Sequence, residues 1–354
     1  MAQKTGERQR NLDELRALAM MMVVVLHFLG KGNLLGDVTA NRMDSVGIAA
    51  WVIEAFCIVA VNCYMLLSGY FLCGTEFRFN RLFKLYLQVW MYSVGIGLVA
   101  AGTGFVPAAE VDTHYYLTLL CPMSMGHYWF MTAYLFLYVL LPVAGTAVRH
   151  MDQKQLRISV ILLLVVFCVL KSVLPFRLEE DGLGYDVIWY LCVFLLAAYI
   201  RRYGLLILNK RWKCACLYFA GCALILAELF VLREIYLRRG SFGLLLKVSF
   251  EYNHVFALLA AVGLFGFFLH GKGAGVIGTV AEKVAPYVLG VYLLHENIGV
   301  RYGWQQFFHA GEIGSVPELL LWTVLAAVGV FVAGVAVEWI RGFMVKALSG
   351  TGKW

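Results

Sequence analysis

Charged residues are scarce in this sequence. They make up 14% of its 354 residues, whereas hydrophobic residues make up 62%, and the mean hydropathy is +0.77. A soluble globular domain carries about 25% charged and about 45–50% apolar residues. The composition therefore excludes an ordinary soluble protein and indicates a chain that folds in lipid.

Cysteine motifs and long polar linkers are also missing. The nine cysteines form no C-x-x-C pair, and Cys214 and Cys216 alone are too few for a zinc site, so the sequence predicts neither a disulfide framework nor a metal site. Only short connections separate the hydrophobic runs. We therefore expect residues 1–354 to form a single polytopic membrane domain with no separate soluble domain.

Apolar runs long enough to cross a bilayer are abundant. A crossing needs about 20 apolar residues at a rise of about 1.5 Å each. By that criterion we predict an all-α integral membrane protein whose helices form one bundle of ten spans: residues 12–29, 48–72, 82–102, 127–147, 157–174, 186–203, 213–232, 252–270, 284–300 and 318–343.

Lysine and arginine are distributed unevenly among the connections. With the N-terminus inside, twenty of the 29 basic residues fall in cytoplasmic segments, which predicts that both termini are cytoplasmic. The net charge of +7 then requires no nucleic acid partner. Residues 233–251 disagree with this pattern, since four basic residues lie there on the predicted outer face. Either a span is miscounted, or this loop binds an anion: Arg233, Arg238, Arg239, Lys247.

Ionisable side chains are unfavourable within a bilayer, so those inside the predicted spans are candidates for function. They are Arg16, His27, Glu54, Glu228, His295 and Glu296, and His127 and His254 lie near span ends.

Arg16 and His27 both belong to the first span, where Asn11 and Glu14 have the N-x-x-E form of a capped helix start with Asp13 in the first turn. Eleven helical residues turn the chain about 20° past three full turns. The two side chains therefore project from one face, about 16 Å apart along the axis. They can contact two points of one elongated ligand.

A coenzyme A thioester is such a ligand, because its phosphates need positive charge and its acyl carbon must meet a base. A buried imidazole is neutral and can accept a proton near pH 7. The alternatives are an interfacial anchor for Arg16 and a structural, hydrogen-bonded histidine for His27. Arg78 and Arg81, neighbours at i and i+3 beside the third span, would suit phosphate, although a positive-inside flank explains them equally well.

Five segments in order resemble the membrane acyltransferase 3 family. The opening helix has an arginine and a histidine separated by ten residues, and it is followed by the Ser-Gly of a second helix, an R-x-x-R, a helix from tryptophan to proline, and a late Tyr-Leu-x-His. In this chain these are Arg16 with His27, residues 65–72, 78–81, 127–142 and 291–298.

The resemblance implies a bacterial cytoplasmic (inner) membrane enzyme that moves an acyl group, commonly acetyl, from cytoplasmic acyl-CoA such as acetyl-CoA to a hydroxyl of a cell-surface or lipid-linked glycan. It makes His27 the catalytic base, Arg16 its partner in the donor channel, and Arg78 and Arg81 the contacts to the donor phosphates. A homo-oligomer is compatible with it.

One position departs from the family. Many relatives place a glutamate five residues after the tryptophan that corresponds to Trp129, and here that position is Tyr134. A carboxylate role would then fall to Glu54 or Glu296. We therefore consider Glu54, Trp129, Tyr134 and Glu296 as substrate-binding residues.

Three histidines remain to be interpreted. His295 would hold the acceptor hydroxyl, stabilise the oxyanion, or only satisfy its neighbours Glu296 and Asn297. The stretch His127–Trp129 is interpreted as part of the aromatic belt at the outer interface, where rings also suit sugar stacking. His254, with Glu251 and Asn253, is interpreted as structural.

Other functions compete with O-acyl transfer. A glycolipid or polysaccharide transporter or flippase would also place ionisable residues at mid-membrane, but such proteins usually contain internal repeats, and we find no convincing repeat here. The other large class of membrane O-acyltransferases uses a membrane histidine without this arginine spacing. A structural or sensory membrane domain is the remaining alternative.

Overall fold

The computed structural model describes residues 9–174 and 181–349, and this part of the chain is helical with no strand. The all-α prediction is confirmed. The helices are α1 (Arg10–Lys31), α2 (Ser45–Cys57), α3 (Ala60–Leu72), α4 (Phe79–Gly102), α5 (Thr113–Leu120), α6 (Trp129–His150), α7 (Gln153–Leu164), α8 (Lys171–Val173), α9 (Val187–Tyr203), α10 (Arg211–Arg239), α11 (Val255–Leu269), α12 (Gly275–Val284), α13 (Val288–His295) and α14 (Val316–Ser349).

Eight helical segments in the described part are long and apolar enough to cross a membrane: Ser45–Leu72, Phe79–Gly102, Trp129–His150, Gln153–Val173, Arg211–Arg239, Gly243–Leu269, Gly275–His295 and Val316–Ala347. The other two predicted spans correspond to α1, which carries Asp13, Glu14 and Arg16, and to α9, which has 17 residues. The total of ten spans and the cytoplasmic termini stay predictions. Residues 1–8 and 350–354 lie outside the described part.

The ninth predicted span, 284–300, is placed differently. Its helical segment runs from Gly275 to His295, with a short 3-10 turn at Ala285–Tyr287 between α12 and α13. Proline lacks the backbone N–H that an uninterrupted helix needs, so Pro286 accounts for this turn. Beyond His295 the chain leaves the helix, because the Asn297 side chain donates to the carbonyls of Tyr92 and Ser93 on α4.

Helix α1 lies at the centre of the bundle. It packs against α2, α3, α11, α12, α13 and α14. Leu12, Leu15, Phe28 and Leu29 on this helix are completely buried. The buried charges of α1 are compensated by ion pairs, Arg16 with Asp13 and Lys31 with Glu296, which explains how this helix lies inside an apolar protein.

The predicted capping of α1 by Asn11 and Glu14 is wrong. The helix begins at Arg10, its N-cap is Gln9, and no side chain caps it. The Asn11 amide instead donates to the carbonyls of Phe268 and Leu269 at the end of α11, at 2.9 and 3.2 Å. Those carbonyls lie in the last turn of a helix, where intrahelical donors are lacking, so Asn11 joins two helices rather than capping its own.

Two buried ionic clusters were not foreseen from the sequence. Glu338 on α14 accepts hydrogen bonds from Gln88 and Tyr92 of α4 and forms a two-pronged ion pair with Arg341, at 2.6 and 2.8 Å. Lys171 on α8 binds Glu251 and the Asn253 amide oxygen. Each cluster joins two helices or loops that are distant in the chain. Its ion pairs and hydrogen bonds offset the unfavourable free energy of burying charged groups.

The structural interpretation of His254 agrees with its position. It is the N-cap residue of α11, and its Nδ1 accepts a hydrogen bond from the Phe256 N–H. Its Nε2 lies 3.3 Å from a carboxylate oxygen of Glu228 on α10. The pair links the two helices.

The basic segment 233–251 is not all loop, because α10 extends to Arg239 and carries three of the four basic residues. Arg233 donates to the carbonyls of Ala40 and Asn41 at 2.6 and 3.2 Å. Arg238 pairs with Glu234 one turn earlier, and Lys247 lies over the Trp51 ring at 5.3 Å. Three of the four basic residues therefore have contacts within the chain, and a miscounted span and an external anion both stay predictions.

Candidate functional site

Arg16 and His27 line the same internal cavity, of about 250 Å³. The shared helix face predicted for them is therefore confirmed. The rest of the wall comes mainly from α3, α6 and α13, with contributions from α4 and from the turn before α13. It is apolar and includes several aromatic side chains, among them Tyr64, Trp129, Phe130, Tyr134 and Tyr292. The cavity can hold a small, mostly apolar group between a cation and an imidazole.

Arg16 is fixed at one end of this cavity. Its guanidinium pairs with Asp13 at 2.5 Å and lies over the Phe71 ring at 5.8 Å. The Tyr64 hydroxyl donates to the backbone carbonyl of Arg16 at 2.6 Å. Asp13 therefore positions the arginine, in addition to lying in the first turn of α1 as expected from the sequence.

His27 belongs to a hydrogen-bonded chain that ends at the backbone of α13. The Nδ1 atom of His295 lies 2.5 Å from the Val291 carbonyl, which can only accept, so the proton of neutral His295 is on Nδ1. Its Nε2 must then accept from Nδ1–H of His27 at 2.9 Å. This arrangement leaves Nε2 of His27 unprotonated, which is the state that a general base requires.

Glu296 completes this chain. One of its oxygens lies 3.2 Å from Nδ1 of His27, and the Lys31 ammonium binds the same oxygen. Lys31 was not expected here from the sequence, although it stands four residues after His27 and so on the same side of α1. The carboxylate can stabilise a positive charge that develops on His27.

The ligand atoms of His27, His295 and Glu296 lie within 4.8 Å of one another, and such residues are common zinc ligands. Two features favour a hydrogen-bonded group instead. Nitrogens sharing a tetrahedral zinc at about 2.0–2.1 Å stand farther apart than the 2.9 Å seen here. The Lys31 ammonium also occupies the carboxylate oxygen that faces His27. We therefore treat the group as a proton relay.

The aromatic-belt interpretation of His127 and Tyr128 is wrong, because both are buried. Helix α6 begins only at Trp129, and the preceding turn folds inward. His127 accepts from the Ile298 N–H at 2.7 Å, and Tyr128 accepts from the Asn297 amide at 3.0 Å. The two side chains thus hold the segment that follows the relay.

Two of the four predicted substrate-binding residues line the cavity, and two, Glu54 and Glu296, do not. Trp129 lies on the wall and stacks on Tyr252, with ring centres 5.7 Å apart. Tyr134 lies on the wall beside the Arg81 guanidinium. Glu54 is buried away from the cavity wall, and its Oε2 has no hydrogen-bond partner among the described residues.

Arg78 and Arg81 line a second, larger cleft of about 1170 Å³, together with Lys84, Arg341 and Lys346. Arg78 is the N-cap of α4, so the cleft also faces the positive end of a helix dipole. The arginines are exposed. This cleft has the charge and the room for a polyphosphate.

The cleft and the cavity adjoin, because Leu85 and Pro286 line both. A ligand that passed these two side chains would reach from the arginines of α4 toward Arg16 and His27. An elongated ligand requires such adjacency.

Comparison with known proteins agrees with the resemblance drawn from the motifs. Residues 9–339 match the family described as "Acyltransferase domain", which covers nearly the whole chain. Among curated proteins and among solved structures no match was found. With eight helical segments able to cross a membrane, the chain belongs to this acyltransferase family and is a multi-pass membrane acyltransferase.

Proposed function

We propose that this protein is an O-acyltransferase that moves an acyl group, acetyl by the family resemblance, from cytoplasmic acyl-CoA to a hydroxyl of a cell-surface or lipid-linked glycan. The observation that carries the proposal is that the basic cleft adjoins the cavity lined by His27, with Leu85 and Pro286 shared between them. The bacterial cytoplasmic membrane is the location that fits this reaction.

The donor would bind with its phosphates in the cleft. Arg78 and Arg81 present guanidinium groups there, and the N-terminus of α4 adds unpaired N–H groups. The pantetheine arm would pass Leu85 and Pro286. Its thioester would then lie in the aromatic cavity with Arg16 on one side.

His27 would act as the general base. As the acceptor oxygen attacks the thioester carbonyl, its proton moves to Nε2 of His27. The carbon–sulfur bond then breaks, and the thiolate of coenzyme A leaves and takes up that proton. The imidazolium formed in between is stabilised by the Glu296 carboxylate, which lies 3.2 Å from Nδ1.

His295 has a different role in this scheme from those considered for the sequence. Its Nε2 is engaged by His27 and its Nδ1 by Val291. Neither nitrogen is left for the acceptor or an oxyanion. We therefore propose that His295 is a positioning residue that fixes the tautomer of His27.

Mass spectrometry of the surface glycans with and without this protein tests the proposal. Loss of acetyl groups from one glycan upon deletion, with recovery upon complementation by the native sequence, is expected. Purified protein should also transfer label from [14C]acetyl-CoA to that glycan. Unchanged glycan acylation together with no transfer of label would contradict the proposal.

A further inference from the structure

A cationic patch lies beyond the relay, at the opposite end of α1 from the basic cleft. We define it by Lys31, Arg301 and Tyr302. The Arg301 guanidinium lies 5.0 Å and the Lys31 ammonium 5.5 Å from the centre of the Tyr302 ring. Tyr302 is 65% exposed. Fifteen helical residues separate Arg16 from Lys31, about 22 Å along the axis, so this patch is remote from the donor phosphates.

The two cations differ in their partners. Lys31 is neutralised by Glu296. Arg301 forms no ion pair in the described part of the chain, and its Nε is buried without a hydrogen-bond partner. The side chain as a whole is half-buried, and a buried N–H normally has an acceptor within the protein. The patch therefore carries one uncompensated positive charge.

Arg301 is held at this place by its backbone. Its N–H donates to the Asn297 carbonyl at 2.8 Å, and the Gln305 amide donates to its carbonyl at 2.9 Å. The same amide reaches the His27 carbonyl at 3.4 Å. The Arg301 guanidinium and the Lys31 ammonium lie over the same Tyr302 ring, and Lys31 binds the Glu296 oxygen that faces His27. A group bound by Arg301 would consequently lie near the Lys31–Glu296 pair that adjoins His27.

We propose that Arg301, assisted by Lys31, binds an anionic oxygen group of the acceptor, so that the acceptor is an acidic glycan or a glycan on a phosphate-bearing lipid. A planar guanidinium forms paired hydrogen bonds with a carboxylate or a phosphate. The inference rests on the proposed function only in identifying the bound molecule as the acceptor of the acyl group. The anion site itself depends only on the contacts of Arg301.

Binding to the full-length protein in nanodiscs, without any acyl donor, tests the site. The probes are tri-galacturonate, its carboxyl-reduced neutral form, and undecaprenyl phosphate. We expect one or both anionic probes to bind, the neutral sugar to bind at least tenfold more weakly, and Arg301→Gln to remove that preference. Whichever anion responds identifies a sugar carboxylate or a lipid phosphate as the source.

The control is Arg239→Gln, which removes an exposed arginine from the same predicted face and should change no affinity. Arg301→Lys should retain part of the preference. If Arg301→Gln fails to fold, the salt dependence of the native protein serves instead, since anion binding must weaken as ionic strength rises. Equal binding of charged and neutral sugars, or an anion preference that Arg301→Gln leaves intact, would overturn the proposal.

A separate measurement isolates the proposed function. Acetyl-CoA binding should be the same in the native protein and in Arg301→Gln, because the basic cleft is remote from the patch. Absence of acetyl-CoA binding combined with an Arg301-dependent anion preference would reject the acyl-CoA donor and retain the anion site. Normal acetyl-CoA binding without an anion preference would retain the acyl-CoA donor and reject the anion site.

Discussion

Nδ1 of His27 lies 2.9 Å from Nε2 of His295, although 268 positions separate the two residues in the chain. Because Nδ1 of His295 is committed to the Val291 carbonyl, this contact determines where the proton of His27 resides. A residue of a second helix, α13, thus fixes the tautomer of His27 on α1. The following predictions test that relationship and the surfaces around it.

Replacing His27 by alanine should abolish acyl transfer. A positioned general base contributes about 10²- to 10⁴-fold to a rate, so residual transfer of label should be at least a hundredfold lower. Acetyl-CoA binding in the cleft should persist. His114→Ala, which removes an exposed histidine on α5, is the control and should transfer at the native rate. Undiminished transfer by His27→Ala would exclude it as the base.

Replacing His295 by alanine should lower kcat by roughly 10- to 1,000-fold and change the KM values little, because His27 loses the acceptor that fixes its tautomer. Steady-state kinetics with varied acetyl-CoA and glycan would measure this. His295→Asn, which keeps a hydrogen-bond acceptor, should recover part of the loss. A raised KM for the glycan with normal kcat would instead make His295 a contact to the acceptor.

Replacing Arg78 or Arg81 by alanine should raise the KM for acetyl-CoA with a smaller effect on kcat. Each loss of a charge-assisted hydrogen bond to phosphate is expected to weaken binding by about 1.5–3 kcal/mol, or roughly 10- to 100-fold. S-acetylpantetheine, which lacks the nucleotide, should be used equally well by native and variant proteins. Arg149→Ala, outside the cleft, is the control. An unchanged KM for acetyl-CoA would indicate that the two arginines serve only as positively charged residues flanking a membrane span.

Replacing Gly290 by alanine should destabilise the contact between α13 and α14. The added Cβ would lie 2.4 Å from Cβ of Glu338 and 2.6 Å from the Tyr92 hydroxyl. Such overpacking costs about 1–3 kcal/mol, which a lower Tm in detergent would report. The matched control is Gly95→Ala on α4, where nothing lies within 4 Å. Equal Tm values for the two variants would show that the helices adjust without strain.

Some features of the site followed from the sequence alone. The shared face of Arg16 and His27 depends only on the helical period, and both line one cavity as expected. The positions of Arg78 and Arg81 at the start of a helix were likewise local properties. The five motifs in their order were sufficient to predict the family, and the match over residues 9–339 confirms that prediction.

Other features required the folded chain. Polar groups excluded from lipid find partners on whichever helix packs beside them, and the sequence does not state which helix that is. Hence Glu338 binds Gln88 and Tyr92, Asn11 binds the end of α11, and His127 turns inward rather than toward the interface.

The sequence by itself determined that the chain folds in lipid, that it is helical and which family it belongs to. It also determined the one helix face that carries an arginine and a histidine, because composition and helical period are local properties. Only the tertiary structure decided that His295 and Glu296 meet His27, that Lys31 joins them, and that the basic cleft adjoins the cavity. These contacts arise where α1 packs against α13, and packing between distant segments is set by the whole bundle.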